Sequence, residues 1–171
     1  MSSRNYRNID RTQAPGYFGQ GASASIISAG GGGNVANPNV IEVTAGEHIY
    51  SGNAVYVKEE VDGENATNLC YNQTPNIAPN TDYYTTLGIA LNEAEEDEMV
   101  QVQHSGTVNY NDLKDDFEGF EGQQLVVGDD SENNVSIDIL TAWQDYNRVI
   151  IVGDIIFRNL IKIRIREYIN N

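Results

Sequence analysis

Apolar and polar residues alternate with a period of two over several segments of this chain, and this alternation is what most limits its fold. Near the C-terminal end the alternating residues are Ile161, Lys162, Ile163, Arg164, Ile165 and Arg166. Successive side chains point to opposite faces of a β-strand, so the pattern predicts a strand with one apolar face and one wet face. Similar patterns follow glycine-containing turns from Val40 onward, and no segment requires a long helix. The sequence therefore predicts an all-β domain.

Two stretches of the chain share the same order of glycines and strands, which predicts an internal repeat. Gly52 corresponds to Gly122, 70 residues later, and Gly88 corresponds to Gly153, 65 residues later. Each stretch is interpreted as a cassette of a strand, a loop and a hairpin, over about residues 43–108 and 118–168. Because each hairpin buries one face, the two similar cassettes can together close a small β-barrel or a β-sandwich.

Two segments lie between these strands. Residues 58–86 are polar and contain Pro75 and Pro79, which predicts a long loop that is either functional or mobile. Residues 135–143 follow a turn-rich loop and are assigned to the resumed β pattern.

The first part of the chain, residues 1–39, has no sustained period of 2 or 3.6 and is predicted to be an extended N-terminal arm. Residues 40–171 then form the β domain. An arm with so few apolar residues cannot bury enough surface to fold alone. We expect it to order by lying across another subunit or a partner through Tyr6, Tyr17 and Phe18; a disordered tail is the alternative.

Charge is distributed unevenly along the chain. The net charge is +2 over residues 1–11, −20 over residues 12–147 and +3 over residues 148–171, which together give −15. An acidic surface repels nucleic acid, so we expect no direct binding of DNA or RNA. The basic ends can dock on an acidic partner, with Lys162, Arg164 and Arg166 as the predicted contact residues. Chance segregation of ordinary surface charge is the alternative.

Five acids occupy six positions in one predicted turn: Glu93, Glu95, Glu96, Asp97 and Glu98. Calcium loops alternate their oxygen ligands and place a glycine at the sharp turn. This segment has no glycine, and its consecutive acids cannot all point inward. The turn of the second cassette lacks the acids, so they are not required by the scaffold. The cluster is therefore interpreted as a solvated turn and not as a metal site.

Few residues suit catalysis. Cys70 is the only cysteine, which excludes a cysteine-based zinc site. His48 and His104 are the only histidines, and no nucleophile motif accompanies them. We therefore predict a non-enzymatic protein without cofactor, metal or catalytic residues; a site shared between subunits would escape this reasoning. Trp143, Tyr71, Tyr83 and Tyr84 leave a glycan-binding module open, because aromatic rings stack on sugars, but tyrosine is also an ordinary strand and interface residue.

No membrane segment or export signal is predicted. The opening residues lack the apolar centre of a secretory signal. The longest apolar run, residues 149–157, has nine residues and includes Asp154, whereas a membrane span needs about 20. These features predict a protein made in the cytosol.

Four segments carry a resemblance to a known family: Gly46–Val57, Gly88–Leu91, Glu93–Glu98 and Val100–Gly106. Their order of a glycine-containing strand, a Gly-apolar-Ala-apolar strand, an acidic turn and a further strand resembles the small β-barrel capsid decoration (cement) proteins of tailed bacteriophages. The match covers about residues 43–108, with an echo over 118–166.

The resemblance implies a virion structural protein, made in the host cytoplasm, that binds the major capsid protein. Such proteins are usually homotrimers on capsomer junctions, where they stabilise the shell against packaged DNA. The N-terminal arm and the 58–86 segment depart from the simple pattern. They leave open a head-fibre, tail or baseplate protein.

Overall fold

The computed structural model describes residues 37–76, 82, 84–109, 117 and 119–169, and these fold mainly as β-strands. The predicted all-β class is confirmed, in that the described residues are mostly strands with one short helix. No helix within the described ranges is long and apolar enough to cross a membrane.

The first five strands form a closed barrel in the order β1-β3-β2-β4-β5. They are β1 (Val40–Ala45), β2 (Ala54–Asp62), β3 (Asn65–Asn72), β4 (Thr86–Ala90) and β5 (Met99–Gln103). Alternate residues of these strands fill the barrel, including the fully buried Val55, Val100 and Val102.

The remaining strands form a second sheet in the order β6-β10-β9-β7-β8. They are β6 (Thr107–Asn109), β7 (Gln124–Val127), β8 (Val135–Ser136), β9 (Arg148–Phe157) and β10 (Leu160–Ile169). A short helix, α1 (Ile139–Asp145), connects β8 to β9. One face of this sheet shares a hydrophobic core with the barrel residues Ala54 and Ile89. The other face packs against α1 through Val149 and Ile151.

The two glycines that begin the predicted cassettes have matching surroundings. Gly52 has φ 85° and Gly122 has φ 89°, a conformation that glycine adopts without steric cost. Gly52 N donates to the carbonyl oxygen of Ala90, and Gly122 N donates to that of Ile155, each at 2.8 Å. Each glycine therefore precedes a strand and is held by a later one.

The second pair of glycines also matches. Gly88 pairs with Val55 on β2, Gly153 pairs with Leu125 on β7, and each pair adjoins a one-residue register shift. A Cβ atom at Gly88 would collide with the backbone of Gln103, and one at Gly153 with the backbone of Lys162. Glycine is needed at both places because the neighbouring strand approaches so closely.

The prediction of a long loop over residues 58–86 was wrong for its first half. Strands β2 and β3 form a hairpin that pairs from Val55 and Asn72 to Asp62 and Asn65. Its two-residue turn contains Gly63 at φ 66°, a geometry typical of tight hairpins. The outer part of the hairpin is exposed on both faces, so its sequence lacks the apolar alternation that marks a half-buried strand.

The β assignment of residues 135–143 was wrong beyond Ser136. Asp138 caps helix α1 by accepting hydrogen bonds from the Thr141 amide at 3.0 Å and the Thr141 hydroxyl at 2.7 Å. These bonds lower the pKa of the Asp138 carboxyl, the amide bond being the larger cause. The cap favours a helix over continuation of the strand.

The acidic turn is exposed at all five carboxylates, as predicted, but its backbone belongs to the barrel. Ala94 is buried and forms an antiparallel bridge with Ile49. Ala45 N donates to the carbonyl oxygen of Glu98 at 2.8 Å, and Asp97 N donates to that of Ala45 at 2.9 Å. The segment is thus a connector that ties β1 to the start of β5.

Candidate functional site

Strand β10 arranges the predicted basic residues on one face of the second sheet. Ile161 and Ile163 are buried on the opposite face. Lys162 and Arg164 are exposed, and the Arg166 side chain is 39% exposed. The alternation read from the sequence therefore places the three cations in one row, which we call the basic row.

One carboxylate lies within the basic row. Asp154 is on the neighbouring strand β9, where it pairs with Lys162 in the strand register. Its Oδ1 accepts a hydrogen bond from Arg166 at 3.1 Å, and its Oδ2 lies 3.6 Å from Arg164 Nη1. Three cations and one acid leave a net charge of +2 on a chain whose total charge is −15.

An aromatic pair lies at the end of the basic row. Tyr168 follows Arg166 at strand spacing, and its ring centroid is 5.5 Å from that of Trp143 on α1. Both side chains are 42% exposed, and Leu140, one helical turn before Trp143, is 64% exposed. The face thus runs from cations to an apolar end that remains open to solvent.

Arg148 contributes to the +3 charge of residues 148–171, but it is not part of the basic row. It is 1% exposed, and its Nη2 donates to Glu167 Oε2 and to the carbonyl oxygen of Tyr84, each at 2.7 Å. Glu167 Oε1 also accepts a hydrogen bond from Thr86 N at 2.7 Å. This ion pair joins the second sheet to barrel strand β4, so its charges are structural.

The position of Arg148 offered a weak signal in the sequence. It stands directly before the apolar run 149–152, and arginine is almost never fully buried unless it is paired. Only the fold brings Glu167, at the far end of β10, next to it.

A second polar connection between barrel and sheet was not predicted. Asn134 is buried; its Oδ1 accepts a hydrogen bond from Ala54 N at 2.7 Å, and its Nδ2 donates to the carbonyl oxygen of Ala54 at 2.8 Å. The side chain thus hydrogen-bonds the buried backbone of Ala54, the first residue of β2, as buried polar groups require.

A cleft of about 340 Å³ lies beside the acidic turn and includes His48, Tyr50, Asp129 and Asp130. His48 Nε2 is 2.8 Å from Glu93 and its Nδ1 is 3.4 Å from Glu95, while its ring stacks on Tyr50 at 4.3 Å. Burial and then nearby carboxylates, that of Glu132 foremost, raise the pKa of Tyr50.

This cleft does not present an assembled active site. The Glu93 and Glu95 side chains are 62% and 69% exposed, whereas acid–base catalysis by paired carboxylates needs a dry environment that separates their pKa values. In the part of the chain that the structure describes, no three His, Cys, Asp or Glu side chains converge as metal ligands would.

Two of the tyrosines considered for sugar stacking, Tyr71 and Tyr84, each contact the ring of Tyr56. Tyr56 lies between Tyr71, at a centroid distance of 5.6 Å, and Tyr84, at 5.3 Å. Tyr71 also covers Gly46. These rings therefore pack against the barrel wall; Tyr83 lies outside the described residues, as do Tyr6, Tyr17 and Phe18 of the predicted arm.

Comparison of the chain with protein-family models, with curated proteins and with solved structures finds no significant match.

Proposed function

We propose that this chain is a non-enzymatic virion structural protein, a decoration or cement protein that binds the major capsid protein of a tailed bacteriophage and stabilises the shell. The observation that carries the docking part of this proposal is the exposed basic row with its aromatic end, on the sheet face that α1 covers only in part. Lys162, Arg164 and Arg166 are the contact residues of this proposal within the described structure. Tyr6, Tyr17 and Phe18 are the contact residues of the arm.

The barrel supports the resemblance on which this proposal depends. Gly52, Gly88, Val100 and Val102, which carry the resemblance, are backbone and core positions of one barrel. The spacing of glycine and valine thus follows from packing. A homotrimer is the assembly that the resemblance implies.

We also propose that the β domain consists of two related hairpin cassettes. The matched conformations of Gly52 and Gly122 and the matched strand approaches at Gly88 and Gly153 support this architecture. A shared ancestral hairpin unit explains why glycines with the same local role recur in both sheets.

A glycan-binding module is the second candidate, and Trp143 is the observation that favours it. Trp143 is exposed beside Tyr168, an arrangement on which a sugar ring can stack. Binding to a glycan array that is lost in Trp143→Ala, with the fold intact by circular dichroism, would favour this candidate.

The proposed function is tested with purified phage capsids that lack the protein. The purified chain is added, and bound protein is measured by cosedimentation and located by antibody labelling in the electron microscope. We expect saturable binding to the capsid shell and weaker binding after deletion of residues 1–33. Undiminished binding of the deletion variant would contradict the arm's role, labelling of tails alone would assign the protein to the tail, and absence of binding would overturn the proposal.

A further inference from the structure

We propose that the basic row and the adjoining aromatic pair bind an extended acidic segment of a partner protein, with acids at alternate positions followed by an apolar residue. This inference rests on the proposed function and deepens it, because it states the chemistry of the partner.

The internal repeat identifies this face as an interface position. In the strand register, Ile89 pairs with Gln103 in the first hairpin, as Asp154 pairs with Lys162 in the second. Ile89 and Gln103 are both buried, and Ile89 lies in the core shared with the second sheet. The corresponding face of the second hairpin carries Lys162 in the open. The first hairpin thus buries this face in an apolar contact within the chain, whereas the same face of the second hairpin is exposed and charged.

The spacing of the cations indicates an extended ligand. Lys162, Arg164 and Arg166 alternate along β10, where regular strand spacing puts alternate side chains about 6.6 Å apart. A register shift against β9 falls between Ile163 and Arg166, but Arg164 and Arg166 still share one face, since both reach Asp154. An extended peptide with acids at alternate positions repeats its carboxylates at the same interval. Its three carboxylates can therefore contact the three cations at the same time. Consecutive acids in a turn or a helix do not have this spacing.

The aromatic end indicates an apolar residue after the acids of the bound segment. Trp143 and Tyr168 form a tilted pair with Leu140 beside them, and exposed tryptophan next to charged residues is typical of binding hot spots. An apolar side chain two residues after the last acid would reach this end. Charge would set the orientation of the segment and the aromatic contact would supply most of its affinity.

A polyphosphate ligand fits this surface less well. Asp154 lies within the row and pairs with two of its cations, and the chain's charge of −15 repels a uniformly charged strand. A peptide whose acids alternate with neutral residues carries fewer charges near Asp154. We therefore assign the face to a protein segment.

The experiment uses the full chain and a synthetic peptide, Glu-Thr-Glu-Thr-Glu-Thr-Phe, with capped ends. Trp143 is the only tryptophan, so its fluorescence reports binding at the aromatic end. We expect a saturable change whose dissociation constant rises with salt, as for contacts between exposed charges. A peptide of the same composition with its three Glu residues consecutive should bind at least about threefold more weakly, a difference of roughly one weak charge contact.

Three variants separate this site from general electrostatics. Arg164→Glu should weaken binding about tenfold, because it replaces an attraction by a repulsion. Lys58→Glu, on the barrel, makes the same change in net charge and should alter binding less than about twofold. Asp154→Asn should strengthen binding about threefold, because it frees two arginines from their carboxylate. Circular dichroism and the melting temperature confirm that each variant is folded.

Several results would overturn the inference. They are equal binding of the alternating and consecutive peptides, equal weakening by Arg164→Glu and Lys58→Glu, or tighter binding of oligothymidylate or a sulfated glycan than of the peptide. This test needs no capsid, so its failure is distinguishable from failure of the proposed function. Capsid binding without peptide binding would reject the acidic segment alone, and peptide binding without capsid binding would reject the capsid as the partner.

Discussion

The two hairpins, β4–β5 in the barrel and β9–β10 in the second sheet, have the same close packing of their strands but different exposed residues. In both, a glycine on the first strand lets the second strand approach closely. Residues 91–98 join the strands of the first hairpin, whereas residues 158 and 159 alone join those of the second. The first hairpin bears an acidic connector and the second an exposed basic row. The comparison separates what the scaffold requires, the glycines and apolar faces, from what each copy can change.

The Arg148–Glu167 ion pair, which anchors the second sheet to barrel strand β4 through the backbone of Tyr84 and Thr86, should show the largest effect. Arg148→Ala leaves the carboxylate of Glu167 without its partner, and we expect a loss of about 3–5 kcal/mol in the free energy of unfolding. Urea unfolding measures this loss. Arg148→Met together with Glu167→Gln removes both charges and should cost clearly less; an equal or larger cost would show that the charge pairing is not the source of the effect.

The Arg148→Ala variant also tests whether the barrel and the second sheet unfold together. Cys70 is buried in the barrel, and burial raises the pKa of its thiol to about 12, so thiol labelling at pH 8 requires the barrel to open. Trp143 fluorescence reports the second sheet. In the unchanged protein we expect both probes to give one transition, and in Arg148→Ala the two midpoints should separate.

Substitution of the matched glycines tests the equivalence of the hairpins. Gly88→Ala and Gly153→Ala should each cost about 1–3 kcal/mol or more, because the added methyl group collides with the backbone of the adjacent strand. Gly128→Ala is the control, since its Cβ would make only an ordinary contact with Tyr146. Thermal unfolding measures all three. A small loss at one glycine and a large loss at the other would break the proposed correspondence.

Acidification should destabilise helix α1, which packs on the second sheet, at a higher pH than it destabilises the strands. The pKa of Asp138 is lowered in the folded protein by its hydrogen bonds to Thr141. The ionised cap therefore contributes stability above the ordinary aspartate pKa of about 3.9, and the contribution is lost as pH falls through the lowered value. We expect a change in Trp143 fluorescence below about pH 4.

The matched control for that titration is Asp138→Asn. Asparagine also caps helices but does not ionise in this range, so the variant should keep its helix at pH 7 and lose the acid-dependent change. An identical fluorescence titration in the variant would assign the change to another group.

The acids of the first connector should matter least for stability. Glu96→Gln and Asp97→Asn change exposed side chains and should alter the free energy of unfolding by less than about 0.5 kcal/mol. Asparagine also tolerates the positive φ of Asp97, 73°. Ala94→Asp, in the same segment, buries a charge in the barrel and should be strongly destabilising. Comparable melting temperatures for all three would contradict the description of this connector.

Much of the scaffold was predictable because its signals are local. The alternation around Ile161 and Ile163 follows from burial of one strand face, and the spacing of Gly88 and Gly153 follows from close strand contact. The same alternation places Lys162, Arg164 and Arg166 together on a wet face. These features depend on residues within a few positions of one another or on a repeated pattern.

The features that were missed depend on non-local contacts or on weak local signals. The β2–β3 hairpin is exposed on both faces over its outer part, so Asp62–Gly63 was its one clear signal. Helix α1 depends on the cap at Asp138, within an apolar run that also suits a strand. Arg148 is buried only because Glu167 and the carbonyl group of Tyr84 meet it in the fold.

The most direct test of the account is a cryo-electron microscopy reconstruction of phage particles carrying this chain, at a resolution that separates strands. The account predicts density for the barrel and second sheet on the capsid shell. The face with Lys162, Arg164, Arg166 and Trp143 should lie against an extended acidic segment of the capsid protein, and the connector with Glu93–Glu98 should lie in solvent. A shell without this density, or one contacted through the acidic connector with the basic row in solvent, would contradict it.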